Sequence, residues 1–272
     1  MTAAFNALFP GGTESAAGSP RRVAVFGVAS EESIAWHVAQ GLKQHSYDVH
    51  IGYQQRFRSR VMPLTRGATV PMDGVHRCDL TSDQELEDFV RVVGAPLHGV
   101  VHSVAFAPPT VFNKRIEDVD EQEFAQTMLT SCFSLLHLVR SLRPLLAPDA
   151  SIIAMTYIGA QRVVPNYRLM GIAKAALEAA VRELAVELGP MGIRVNAISA
   201  GPMRTLSALA VPQLDAMLER YGRIVPLRRC VSGSDIAATA RFLLSPESRA
   251  ITGQTIFVDA GFSVISVPAD GA

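Results

Sequence analysis

The sequence predicts an α/β fold, a single doubly wound parallel sheet with helices on both faces. Three observations predict it. Short β-rich apolar runs alternate with segments of helical spacing from Arg22 onward. LHGVVHSVA (97–105) is almost continuously apolar, as a strand covered on both faces must be. Gly27, Asp79, Ser103, Tyr157 and Gly201 each follow a strand-like run, so they gather at the carboxyl edge where such sheets bind ligands.

The elements follow in order. VAVFGV (23–28) reads as the first strand, and IAWHVAQGLKQ (34–44) has the spacing of an amphipathic helix. DVHIGY (48–53) is the second strand, and a short third lies near Val75–Cys78. Thr81 is a capping residue ahead of the helix in TSDQELEDFVRVV. EQEFAQTMLTSCFSLLHLVRSLRPLL reads as one long helix, and SIIAMTY (151–157) as a strand leading to a helix that carries Tyr167 and runs to Leu188. IRVNAIS (193–199), SDIAATARFLLS and QTIFVDAG supply a strand, a helix and the last strand.

At 272 residues, 49% hydrophobic and 18% charged, the chain suits one compact domain, assigned to 21–265. Residues 1–20 read as a flexible extension and 266–272 as a tail. Lys+Arg and Asp+Glu are equal at 25 each, which leaves no electrostatic footprint for nucleic acid. No apolar run reaches membrane-spanning length. Cys78, Cys132 and Cys230 are odd in number and widely spaced. They predict reduced thiols, a cytoplasmic protein and no metal site; His98 and His102 do not form a metal-binding pattern either.

Tyr157, Tyr167 and Lys174 are the candidate catalytic residues. Tyr167 and Lys174 are seven apart, so on a helix they share one face, about 10.5 Å apart along the axis. A phenol there can donate to a carbonyl oxygen, and an ammonium can hold a sugar hydroxyl and favour negative charge on the phenol. At the first strand-to-helix turn, the Gly-x-Gly-x-x-Gly fingerprint is absent. Gly27 still permits a tight turn, Ser30 and Ser33 bring hydroxyls, and the helix start offers free N–H groups to a pyrophosphate. Gln54 stands where many such folds carry an acid. Arg56, Arg58 and Arg60 read as a solvated basic loop, with a nucleotide 2′-phosphate as the alternative. Asp79 suits either an adenine amine or the next helix cap. His102 reads as a structural histidine in a buried strand.

GVASEESIAW, VHSVAFAP, Tyr157 with Tyr167-x6-Lys174, and VNAISAGPMRTL together resemble the bacterial NAD(P)H-dependent enoyl-acyl-carrier-protein reductases, a divergent branch of the short-chain dehydrogenase/reductases with Rossmann-type folds. The likeness runs from about Val23 to Phe262. Ordinary ketone reductases of that superfamily use Tyr-x3-Lys instead. The resemblance implies hydride transfer from NADH, or alternatively NADPH, to a trans-2-enoyl thioester on acyl carrier protein or coenzyme A, in fatty acid biosynthesis. It implies Tyr167 as donor to the thioester oxygen, Lys174 on the nicotinamide ribose and Tyr157 in the acyl pocket. Gly27, Ser33 and Ile34 would meet the pyrophosphate; Gln54, Asp79 and Leu80 the adenosine; Val104 the adenine side; Ala107 the substrate. Met203, Arg204, Thr205, Leu206 and Ser207 would close over the nicotinamide and phosphates. A homotetramer is implied too, in keeping with the apolar character of the two long helices. Leu209, Pro212 and Leu214 depart from the family's usual lid, and Ala260 from its Asp-Gly-Gly. A ketone or aldehyde reductase, or a non-catalytic nucleotide sensor, are the alternative readings.

Overall fold

The computed structural model describes residues 20–68, 70–94, 96–206, 208–210 and 213–266. The predicted extension, apart from Pro20, and nearly all of the tail lie outside them, as do Ser207 and Pro212.

Seven strands form one parallel sheet: β1 (Arg22–Phe26), β2 (Asp48–Tyr53), β3 (Gly74–Arg77), β4 (Leu97–His102), β5 (Leu146–Thr156), β6 (Arg194–Ala200) and β7 (Thr255–Val258). Their order is β3-β2-β1-β4-β5-β6-β7. The chain runs outward from β1 to β3, then returns to β4 on the other side of β1. Phe26 therefore stands level with Gly52 on one neighbour and His102 on the other. That reversal opens a crevice at the carboxyl ends of the strands.

The helices are α1 (Ile34–Lys43), α2 (Arg58–Arg66), α3 (Asp83–Val93), α4 (Glu121–Met128), α5 (Ser134–Leu142), α6 (Leu169–Leu188), α7 (Leu214–Ile224) and α8 (Gly233–Leu244). Successive β1 side chains point to opposite faces. Ala24 and Phe26 join a core with Leu86 and Phe89 of α3, Leu135 and Leu138 of α5, and Leu177 of α6. Val23 and Val25 join the opposite core with Trp36 and Leu42 of α1 and Ile236 and Leu243 of α8. Each large apolar side chain buried in this way contributes roughly 1.5–3 kcal/mol, which fixes strand register and so the strand ends.

Four local readings of the sequence are corrected. The cap of α3 is Ser82, whose hydroxyl accepts from the Glu85 amide, one residue after the expected Thr81. The predicted long helix is split by a π-turn over Leu129–Phe133 between α4 and α5. Arg58 and Arg60 open helix α2 instead of lying in a loop, despite Pro63 within it. Tyr167 precedes α6, which begins at Leu169. Its neighbours Asn166 (φ 67°) and Arg168 (φ 44°) have left-handed backbone, which no helix accommodates. The shared-helix-face argument for Tyr167 and Lys174 therefore fails, although both reach the same cavity.

Candidate active site

A cavity of about 440 Å3 occupies the crevice and is lined from the ends of β1, β2, β4, β5 and β6. Its first wall is the β1–α1 turn. Gly27 has φ 105°, and a Cβ there would lie 2.1 Å from the Ser103 carbonyl oxygen, so only glycine lets β1 and β4 close together at this point. Ser33 occupies the N-cap of α1 but gives no side-chain cap. Its hydroxyl donates to the Ser30 carbonyl at 2.6 Å. The first amides of α1 are thus left without a side-chain acceptor, beside Gly27, Ser33 and Ile34 on the cavity wall. An uncapped helix start facing a crevice suits an anionic ligand group, and a dinucleotide pyrophosphate fits these residues.

The second wall comes from β2 and β3. Gln54 and Leu80 line it, whereas Asp79 does not. The Asp79 carboxylate accepts from the Thr81 amide and hydroxyl and from the Gln54 amide at 3.0 Å. Burial alone would raise its pKa, but these hydrogen bonds and the Arg56 charge hold it below the usual range. Asp79 therefore orients Gln54 and caps its own turn. Arg56 is solvent-exposed and also borders the cavity. Its guanidinium lies over the rings of Phe57 and Phe106, at 4.7 and 5.2 Å from their centroids.

Val104, Phe106 and Ala107 form the third wall, after β4. Sequence reasoning missed what holds this segment. Ser131, buried in the π-turn, accepts from the Phe106 amide at 2.9 Å and donates to the Phe106 carbonyl at 2.8 Å. π-turns recur at functional sites. A serine inside an otherwise apolar helical stretch was the available signal. His102 is structural, as read: it is buried, pairs with the Ser134 hydroxyl at 2.8 Å, and burial pushes its pKa down to about 3.

Tyr157, Tyr167 and Lys174 all line the same cavity. The two phenol rings lie edge to face, with centroids 4.9 Å apart. Burial raises the Tyr157 pKa to about 12 and raises that of Tyr167 as well. Both phenols are neutral near pH 7 and can donate a hydrogen bond. Lys174 donates to the Met155 carbonyl at 2.7 Å. Burial brings its pKa down to about 8, a pull that the nearby Cys132 and Glu178 side chains partly offset.

The fourth wall follows β6. Met203, Thr205 and Leu206 line the cavity, and Leu214 and Met217 of α7 face it. Arg204 is off the wall, ion-paired with Asp215 at the start of α7. Ser207 lies outside the described residues. Among the described residues, no group of three or more His, Cys, Asp or Glu side chains is arranged to hold a metal ion.

A family model described as enoyl-(acyl carrier protein) reductase matches residues 27–263. The chain belongs to the enoyl-(acyl carrier protein) reductase family. An NADH-dependent enoyl-acyl-carrier-protein reductase, FabI, from Synechocystis is 38% identical over 258 residues, covering 92% of this chain and 98% of that protein. The solved reductase of Anaplasma phagocytophilum, in complex with NAD, superimposes with a TM-score of 0.85 at 35% identity, covering 92% of this chain and 97% of that one. The Bacillus cereus reductase, solved with NADP+ and an indole naphthyridinone, gives 0.86 at 36% identity, covering 92% and 98%. The family resemblance of the sequence motifs and the doubly wound sheet are both borne out.

Proposed function

We propose that this protein is an enoyl-acyl-carrier-protein reductase of fatty acid biosynthesis that uses NADH. The observation that supports the reading is that Tyr157, Tyr167 and Lys174 line one cavity together with the open N-terminus of α1. The curated relatives named as NADH-dependent reductases support it. When bound, NADH supplies a hydride to the β-carbon of the enoyl thioester. Negative charge then develops on the thioester oxygen as an enolate, which takes a proton from solvent at the α-carbon to complete the reduction. Tyr167, a half-buried neutral phenol on the cavity wall, donates a hydrogen bond there, an oxyanion-type role that is strongest where water is excluded. Lys174 holds the nicotinamide ribose hydroxyls and keeps the ring aligned. Tyr157 packs against Tyr167 and borders the acyl chain.

The remaining assignments follow the walls. Gly27, Ser33 and Ile34 receive the pyrophosphate; Gln54 and Leu80, with Asp79 supporting Gln54, receive the adenosine. Val104 packs on the adenine side and Ala107 on the substrate. Met203, Thr205 and Leu206, with Arg204 between them, close over the nicotinamide. NADPH is the alternative nucleotide, and the Arg56 guanidinium at the adenosine end favours testing it. The carrier is acyl carrier protein, with coenzyme A thioesters as its test analogues.

The protein is further proposed to be a cytoplasmic homotetramer. Phe124, Leu129 and Phe133 along α4 and the π-turn, and Ile172 and Val186 on α6, are large apolar side chains left exposed, as a subunit interface requires. Free Cys78, Cys132 and Cys230 suit a reducing compartment. No helix among the described residues is long and apolar enough to cross a membrane. Light scattering of the purified protein tests the tetramer; a monomer would refute it. The activity is tested by following NADH consumption with a crotonyl thioester.

A further inference from the structure

Glu178 is a buried carboxylate that the reaction above does not use. It lies on α6, one turn after Lys174, and is only 4% exposed. One carboxylate oxygen accepts from the Thr156 hydroxyl at 2.9 Å and the other from the Gln161 amide at 2.8 Å. No salt bridge to Glu178 occurs among the described residues. Burying a carboxyl group with two neutral donors is expensive, and an apolar side chain of similar size would pack the core at lower cost. The two donors bracket the cavity segment: Thr156 ends β5 immediately before Tyr157, and Gln161 closes the short turn after it.

We propose that Glu178 is a positioning residue of the active site, tying both ends of the Tyr157 segment to α6 and setting a negative charge beside Lys174. The proposal rests on the reductase reading above. The groups facing Lys174 leave Glu178 as the source of that charge. Cys132, from the π-turn, is a neutral thiol at pH 7 because burial raises its pKa. His102, from β4, is neutral because burial lowers its pKa to about 3. Tyr157 and Tyr167 are neutral phenols. Burial pulls Lys174 towards the free amine, and the carboxylate one turn away opposes that pull. The same side chain therefore fixes where Tyr157 stands and keeps its neighbouring lysine charged.

Two variants test this. Glu178→Gln keeps the shape and removes the charge. It should lower kcat about tenfold or more and move the alkaline limb of kcat/KM, and of NADH binding read by fluorescence, to lower pH by about half a unit or more. Its melting temperature should not fall, because a buried charge is gone. Gln161→Ala, at an exposed position, removes one tether and keeps the charge, so kcat should fall several-fold with the alkaline limb in place. Wild-type kcat in Q161A, or an unmoved limb in E178Q, would overturn the proposal. If E178Q does not fold, Q161A tests the tether alone. A wild-type protein inert toward enoyl thioesters would instead defeat the reductase reading, and the NADH-binding titrations would still report on Glu178.

Discussion

Tyr167 meets Tyr157 edge to face, with ring planes inclined at 69°, although one leaves a strand and the other sits in a turn ahead of a helix. The contact depends on a missing side chain. A Cβ on Gly159 would lie 2.4 Å from the Tyr167 ring. Gly159→Ala should displace Tyr167 and lower kcat more than tenfold, while the melting temperature shifts only slightly because the ring can swing aside. Undiminished turnover in G159A would show that the placement of Tyr167 does not matter.

Tyr167→Phe keeps the ring and removes the donor. Losing one oxyanion donor costs roughly 10²–10³ in kcat. NADH affinity should stay within a few-fold of the wild type, because the phenol is assigned to the substrate and not the nucleotide. Steady-state kinetics together with fluorescence titration separate the two.

The pH dependence follows from Lys174. Its folded pKa lies near 8, below the ordinary 10.5, because the ammonium is buried. Between those two values the unfolded chain holds more protons than the folded one, so the lysine makes folding more favourable as pH rises across that window. Cofactor binding moves the other way. Loss of the ammonium proton weakens the hold on the ribose, so kcat/KM for NADH should decline as pH rises through about 8. Lys174→Ala should raise KM for NADH and abolish the decline.

Ser131 grips both polar groups of Phe106 from the π-turn. Ser131→Ala leaves that half-buried amide and carbonyl without their partner, at about 1 kcal/mol or more. A lower melting temperature and a higher KM for the enoyl thioester are expected, with NADH affinity nearly unchanged.

Gly27→Ala should be the most damaging single change at the nucleotide end. Both the positive φ and the Ser103 carbonyl forbid a Cβ, and an expected cost above about 2 kcal/mol would appear as lost NADH binding and a lower melting temperature.

Strand positions were legible because short stretches rich in Val, Ile and Tyr stand between turn residues and helical spacing: DVHIGY is β2 to the residue, and IRVNAIS differs from β6 by one position at each end. Irregular backbone was not legible. Apolar spacing passes through the π-turn at Leu129–Phe133 almost undisturbed, since one extra residue rotates the stripe without breaking it. Tyr167 was placed on the helix because nothing in Asn166 or Arg168 announces two left-handed residues. Arginines near Pro63 concealed α2, whose helix is short and weakly apolar. At the site, motif residues such as Gly27 and Lys174 were found by their chemistry. Ser131 and Glu178 were missed because their work is to hold other backbone and side chains, which only the tertiary contacts reveal.

The central claim is that the two phenols and the lysine serve reduction of a carbon–carbon double bond. It is tested most directly by presenting the purified protein with NADH and either a crotonyl or an acetoacetyl thioester, and following nucleotide oxidation. Rapid oxidation is expected with the crotonyl substrate and almost none with the acetoacetyl one. Turnover of the ketone in preference to the enoyl thioester, or NADH binding with neither oxidised, would contradict it.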